Sequence, residues 1–126
     1  MRFVVKFYPY KYRDYAYGAA TLAVAAWKRG KFAEAHDIML ARSPRLEREN
    51  LVLYAREIGL DPAEIGREID VRAHDALIQR DLKLARDLDL YNTPAFFFNG
   101  RAVFGNRPYE YYKRVMDEEL ARVGVR

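Results

Sequence analysis

Few side chains in this sequence could carry out chemistry, and cysteine is not among them. The 126 residues contain no cysteine and only two histidines, His36 and His74. A chain without cysteine supplies no disulfide, no thiolate nucleophile, no iron–sulfur cluster and no cysteine ligand for zinc. The sequence therefore excludes thiol chemistry by these residues alone.

The other candidate catalytic and metal-binding side chains stand apart from one another. His36 and His74 are each followed by an aspartate but lie in different predicted helices, which favours surface or capping roles over a metal site. Ser43 and Thr93 have no acid–base partner at a recognisable spacing. We expect no catalytic residue, no metal ion and no cofactor in this chain.

A cluster of tyrosines near the N-terminus suggests a different chemistry. Interleaved with Lys11 and Arg13, it consists of Tyr8, Tyr10, Tyr12, Tyr15 and Tyr17. Aromatic rings among cations can stack on bases and neutralise phosphates, but tyrosine is also common in packed surfaces and protein interfaces. A net charge of +4 is small for a nucleic-acid-binding protein. Packing is the favoured interpretation, and a nucleic-acid or protein interaction module is the alternative.

Length and composition indicate one globular domain. The chain has 126 residues, of which 51% are hydrophobic and 32% charged, as is typical of a single folded domain. Charged residues interrupt every apolar run, so no stretch reaches the roughly 18 apolar residues of a membrane-spanning helix. The N-terminus lacks the features of a secretory signal peptide, and on this ground we expect a cytoplasmic protein.

The N-terminal part is predicted to form one strand and then helices. Residues 2–8, RFVVKFY, are rich in β-branched and aromatic side chains and end at Pro9, which predicts a strand. An alanine-rich helix is predicted from the cap residue Asp14 to Trp27, whose side chain is expected to fill a gap in the core. Further helices are predicted over residues 31–42, around 51–58, over 61–69 and over 71–89. Their inward-facing residues include Leu40, Leu51, Tyr54, Ala55, Val71, Ile78, Leu84, Ala85 and Leu88.

Capping patterns mark the ends of these helices. In Asp61-Pro62-Ala63-Glu64, aspartate can cap, proline suits the first helical turn and glutamate can reach back to the N–H of the cap. Gly30 and Gly59 stand where a helix ends in a left-handed residue.

The hydrophobic pattern changes from helical spacing to short strand-like runs at Asn92-Thr93-Pro94. AFFF and RAVF are short apolar runs joined by Asn99-Gly100, the strongest two-residue pattern for a β-hairpin. Arg107-Pro108 opens a last helix whose apolar face can cover the hairpin. The predicted order is one strand, about five helices, a hairpin and a closing helix.

Several segments in this order resemble the DsbA-like family of thioredoxin-fold disulfide oxidoreductases. They are KFYP, the alanine-rich helix, GKFAEAHDIML, NLVLYAREIGLD and NTPAFFFNGRAVFGNRPYEYYKRVMDEEL. The resemblance implies an α/β (α+β) thioredoxin-like fold in a single domain, residues 1–126, with a helical insertion at about 14–70. It also identifies Thr93-Pro94 as the family's cis-proline step, which lies beside the active site.

The sequence departs from the family at its N-terminus. Family members have a strand and a Cys-x-x-Cys motif before the strand that RFVVKFY resembles, and this sequence begins after both. We therefore expect an N-terminally truncated, redox-inactive fold with two unpaired strand edges. Unpaired backbone groups in a core each cost on the order of 1–3 kcal/mol. A homo-oligomer, or a second polypeptide that completes the sheet, is expected to remove this cost.

These expectations favour a non-redox polypeptide-binding or assembly domain. By resemblance, Thr93 would offer its backbone N–H and C=O to an extended or unfolded polypeptide. Its expected neighbours are Pro94, Tyr91, Phe96 and Phe98. The alternative is one part of a split or truncated disulfide oxidoreductase whose Cys-x-x-Cys segment is elsewhere. If an N-terminal segment is missing, the protein would work outside the cytoplasm, as members of the family often do.

Overall fold

Six helices and one hairpin make up the described part of the chain. The computed structural model describes residues 1–124. The elements are α1 (Ala16–Lys28), α2 (Phe32–Arg42), α3 (Arg48–Glu57), α4 (Pro62–Asp70), α5 (Asp75–Asp87), β1 (Ala95–Phe98), β2 (Arg101–Phe104) and α6 (Tyr109–Arg122). Two compact units, Met1–Leu84 and Ala85–Arg126, divide the chain within α5. Over residues 1–124, no helix has the length and apolar character needed to cross a membrane.

The first unit is built around α1. Residues 21–26 of this helix are all buried, and six consecutive residues face every direction around a helix axis. Their small side chains allow α2, α3 and α4 to pack against α1. At Gly18, α3 approaches α1 so closely that an added Cβ would lie 3.1 Å from Leu51 Cδ1.

Most of the predicted helix ends are confirmed. The Asp61 carboxylate accepts hydrogen bonds from the Ala63 and Glu64 N–H groups and caps α4. The Glu64 side chain does not reach back to the cap, because it instead accepts a hydrogen bond of 2.7 Å from Arg29. Gly30 and Gly59 have positive φ angles and follow the ends of α1 and α3 as predicted. Asp14 is not the cap of α1, which begins after Tyr15.

The predicted strand at residues 2–8 is wrong. The sheet formed by residues 1–124 contains β1 and β2 only, so RFVVKFY has no neighbouring strand there. Instead, the Asp81 carboxylate on α5 accepts the Phe7 N–H at 3.1 Å and pairs with Lys6 Nζ at 3.2 Å. Strand propensity describes how well side chains suit a ladder, but a ladder also needs a partner.

Several side chains predicted to face inward are exposed. They are Trp27, Leu40, Val71, Leu84 and Leu88. Val71 lies in the turn before α5, which begins at Asp75 and not at residue 71. In α2, Met39 takes the half-buried position and leaves its neighbour Leu40 outside. Successive residues of a helix point about 100° apart. A periodic pattern can therefore assign the inward-facing position to the wrong one of two neighbouring residues.

The hairpin and α6 lie in the second unit, and α6 packs against the hairpin as predicted. β1 and β2 are antiparallel, with Phe96 opposite Val103 and Phe98 opposite Arg101. Asn99 and Gly100 have φ angles of 50° and 90°, the two positive values that a type I′ turn requires. The rings of Phe96 and Phe98 pack against Tyr112 of α6, with centroids 4.9 Å and 6.4 Å away. α6 therefore covers one face of the hairpin.

Candidate functional site

The loop before β1 holds three of the predicted binding residues at the surface. Tyr91, Thr93 and Pro94 are all exposed, and the peptide bond between Thr93 and Pro94 is cis. The Pro94 carbonyl accepts the Gly105 N–H at 2.9 Å. This bond continues the pairing of the hairpin beyond β1 and fixes the end of the loop to the strand.

The structure separates Phe96 and Phe98 from these loop residues. Both rings lie on the face of β1 that packs against Tyr112. Tyr112 Oη also accepts the Arg107 N–H at 2.9 Å and donates to the Gly105 carbonyl at 3.0 Å. Phe96 and Phe98 thus help to attach α6 to the hairpin and do not contribute to its open face.

The opposite face of the hairpin is apolar and open, which sequence reasoning missed. Because side chains alternate along a strand, Phe97 shares this face with Phe104 of β2. Their exposed fractions are 46% and 56%, and between them lie Ala95 and Ala102. The alternation in AFFF places Phe97 on the face opposite Phe96 and Phe98, but it does not reveal which of the two faces α6 covers. We call this surface the Phe97 face.

β1 also has an outer edge along which no strand lies in the described residues. In a hairpin with a two-residue turn, Phe98 and Arg101 exchange hydrogen bonds, and so do Phe96 and Val103. The N–H and C=O groups of Ala95 and Phe97 are therefore directed away from β2. The sheet of residues 1–124 has only two strands. We call these outward-directed backbone groups the β1 edge.

An ion pair connects β2 to α6 on the covered side. Arg101 Nη1 donates to Glu118 Oε2 at 2.5 Å, and this hydrogen bond raises the pKa of the Arg101 guanidinium. Both side chains are largely exposed, so the pair adds little stability. Its effect is to place a charged group beside the turn and away from the Phe97 face.

A polar cluster in the first unit links α1, α4 and the turn before α5. The Glu68 carboxylate accepts hydrogen bonds from Arg29 at 2.5 Å and from His74 Nε2 at 2.7 Å. Lys28 Nζ lies 3.2 Å from His74 Nδ1. An ammonium only donates, so this contact fixes the proton of a neutral ring on Nε2. Burial raises the pKa of Glu68, but hydrogen bonds from Arg29 and His74 outweigh burial and hold that pKa below its ordinary value.

The two histidines lie in different surroundings. His74 is buried within the polar cluster just described, whereas the exposed ring of His36 stacks on Phe32 at a centroid distance of 5.8 Å. Among residues 1–124, no three or more His, Asp or Glu side chains form a group that could hold a metal ion. Both histidines therefore have local partners that account for their positions.

The tyrosine cluster does not form one continuous surface. Arg72 lies 4.6 Å above the Tyr17 ring, and the Tyr17 hydroxyl bonds to Asp75. Tyr8, Tyr10 and Tyr12 contact one another in sequence, with centroid distances of 5.4 Å and 5.0 Å. These contacts support the packing interpretation for most of the cluster, while Tyr12 and Tyr15 remain exposed.

Comparisons with known proteins give a consistent result. Residues 3–117 match the family model of the DSBA-like thioredoxin domain. The structure resembles oxidised BdbD from Bacillus subtilis, with a TM-score of 0.80 and 16% identity over 89% of this chain and 65% of that one. It also resembles a thioredoxin-like oxidoreductase from Silicibacter pomeroyi DSS-3, with a TM-score of 0.79 and 25% identity over 95% of this chain and 68% of that one. The fold is therefore thioredoxin-like.

Curated relatives share sequence with this chain over a small part of their own length. The Na(+)/H(+) antiporter NhaA of Herminiimonas arsenicoxydans is 33% identical over all of this chain, which spans 20% of that protein. The Na(+)/H(+) antiporter NhaA 3 of Salinispora tropica is 36% identical over 75% of this chain and 14% of its own length. This chain thus spans a fifth or less of these relatives.

Proposed function

Because the chain belongs to the DSBA-like thioredoxin domain family, we propose that it is a non-redox domain that binds an extended polypeptide along the β1 edge. The sequence contains no cysteine, so the proposed activity is binding and not thiol exchange. The observation that carries the proposal is an open strand edge beside an exposed apolar face on one hairpin. Binding requires no thiol, so the proposal is the same inside and outside the cytoplasm.

The β1 edge provides the backbone part of the recognition. The N–H and C=O groups of Ala95 and Phe97 match the hydrogen-bonding groups of an incoming strand. Each added ladder bond contributes about 0.5–1.5 kcal/mol net. This part of the recognition is independent of sequence, as expected for a domain that binds unfolded chains.

The Phe97 face provides the side-chain part. Phe97 and Phe104 are about half exposed, and covering apolar surface contributes roughly 25 cal/mol per Å². An incoming strand places every second side chain on this face. The proposed ligand is therefore an extended segment with apolar, β-branched side chains at alternate positions.

The exposed loop residues extend the site beyond the strand. Thr93 and Pro94 immediately precede the β1 edge, and Tyr91 is exposed in the same loop. In the proposal, the Thr93 backbone continues the ladder by one position and the Tyr91 ring covers a ligand side chain. Phe96 supports the strand from its other face.

Peptide titration tests the proposal. A fluorescent eight-residue peptide with alternating valine and threonine should bind the full chain, and the amide NMR signals of Ala95 and Phe97 should shift. Phe97→Lys should weaken binding at least tenfold, whereas Tyr109→Lys, which alters an exposed aromatic residue of α6, should leave affinity unchanged. Absence of binding to any extended peptide, or equal loss in both variants, would refute the proposal.

A second candidate is one part of a disulfide oxidoreductase whose Cys-x-x-Cys segment is supplied elsewhere. The observation that favours it is the coverage of 65% and 68% of the two solved chains by a sequence without cysteine. The test is to mix the chain with a separately produced strand–Cys-x-x-Cys–helix segment. Insulin-reductase activity in the mixture beyond that of the segment alone supports this candidate, and unchanged activity counts against it.

A further inference from the structure

We infer that the strand occupying the β1 edge is residues 2–5 of a second copy of this chain, exchanged reciprocally between two copies. The inference rests on the proposed function, because it names the polypeptide that occupies the same edge. It is carried by the N-terminal segment, which has strand-forming residues but no strand partner in the described structure.

The N-terminal segment is fixed at one end and exposed before that point. Asp81, only 3% exposed, holds the Phe7 N–H and the Lys6 ammonium through its carboxylate. Phe3 is 77% exposed, and Val4 and Val5 are also exposed. Side chains of this kind favour a ladder in which one face is covered. The Asp81 contact therefore presents an apolar strand-forming segment to the surroundings.

The segment and the β1 edge match in length and charge. Residues 2–5 number four, as do the residues of β1. Residues 1–13 include four cations and no acidic side chain. In contrast, the link that leads into β1 contains the exposed residue Asp89. Opposite charges next to the two strands favour their association over the pairing of two N-terminal segments.

The buried area indicates that the exchange is reciprocal. Phe3, Phe97 and Phe104 are 77%, 46% and 56% exposed, and because a fully buried aromatic side chain contributes about 150–250 Å², covering their exposed parts in one ladder buries on the order of 350 Å². Specific interfaces bury about 1,200–2,000 Å². One ladder is too small for a specific interface, and a reciprocal exchange doubles the area that the two copies bury.

Disulfide trapping between two variants tests the contact directly, because the natural chain contributes no background thiol. Full chains with Phe3→Cys and with Phe97→Cys, distinguished by tags, are mixed, allowed to exchange and oxidised. We expect a cross-linked species that contains one chain of each kind. The control replaces Phe3→Cys with Trp27→Cys, another exposed aromatic position. Equal cross-linking in the control would overturn the inference.

Solution mass and peptide affinity separate this inference from the proposed function. We expect twice the 14.8 kDa chain mass for the natural protein and the single-chain mass for Phe3→Lys. Phe3→Lys should also bind the alternating peptide at least tenfold more tightly, because the competing strand is weakened.

The inference is overturned if the natural chain is monomeric at 100 µM and binds the peptide as tightly as Phe3→Lys does. The proposed function is unaffected by that result. The opposite outcome is a dimer that Phe3→Lys disrupts and that forms the mixed disulfide, while neither the natural chain nor Phe3→Lys binds the peptide. This outcome would support the exchange and refute the proposed function.

Discussion

The Glu68 carboxylate of α4 accepts hydrogen bonds from Arg29, the C-terminal cap of α1, and from the ring of His74. It is largely buried, so if it were replaced, its partners would lose charge-assisted hydrogen bonds at a place where little water is available as a substitute. We predict that Glu68→Gln lowers the free energy of unfolding by about 1–3 kcal/mol, measured by urea denaturation. Glu57→Gln is the control, because the Glu57–Arg42 pair is more exposed. Its effect should be much smaller, and equal losses would contradict the argument.

The same carboxylate should contribute to the pH dependence of stability. The pKa of Glu68 is lower in the folded chain than its ordinary value of 4.5. The unfolded state therefore binds more protons in the interval between the two values, and folding loses stability as the pH falls through it. The groups around Glu68 are Lys28, Arg29, Glu64 and His74. We predict that the stability difference between the natural chain and Glu68→Gln shrinks as the pH falls below 4.5, the ordinary pKa of this carboxyl.

Urea titrations at a series of pH values check this prediction. Other carboxyls with lowered pKa values, such as Asp70 and Glu57, remain in both proteins and cancel in the difference. A difference that grows as the medium becomes more acidic would contradict the sign of the Glu68 effect.

The cap of α4 is the element boundary that the sequence specifies most directly. Asp61 accepts the N–H groups of Ala63 and Glu64 at 2.8 Å and 3.2 Å, and Pro62 occupies the first turn. These N–H groups would otherwise lack an acceptor within the helix. We predict that Asp61→Ala lowers the free energy of unfolding by about 1 kcal/mol. Asp61→Asn keeps an acceptor oxygen and should retain most of the stability in the same denaturation assay.

Elements defined by local contacts were predictable, and those defined by distant contacts were not. The turn at Asn99-Gly100 and the cap at Asp61 follow from side chains within three residues of each other. The segment RFVVKFY has the composition of a strand, but its environment is set by Asp81, more than seventy positions away. Trp27 has the size of a core residue, yet it is 57% exposed. Secondary-structure propensity is a property of the residue itself, whereas its burial and pairing depend on which distant element the fold places beside it.

The candidate site shows the same division. Tyr91, Thr93 and Pro94 were predicted as binding residues through the family resemblance, and the structure places them exposed in one loop. Phe97 and Phe104 were missed, because a four-residue apolar run does not reveal which of its faces a helix covers. The position of Tyr112 in α6 decides this, since its ring packs on Phe96 and Phe98.

The whole molecule combines a well-packed helical unit with a sheet that has only two strands in the described residues. A two-stranded sheet is marginal by itself and gains stability from a third strand. The helical unit needs no such addition, because α1 is enclosed by three other helices. We therefore expect a partner strand to affect the stability of the hairpin unit first.

By mass action, this expectation predicts that the Tm of the whole chain depends on protein concentration. If the third strand belongs to a second copy, folding and association are linked, and a tenfold rise in protein concentration stabilises the dimer by about 1.4 kcal/mol. For a chain of this size, we predict that Tm rises by about 2 °C or more for each tenfold increase. Phe3→Lys should remove the dependence, whereas Trp27→Lys should preserve it. Calorimetry between about 5 and 500 µM checks this, and a Tm that is independent of concentration in all three proteins would show that the sheet is not completed by a second copy.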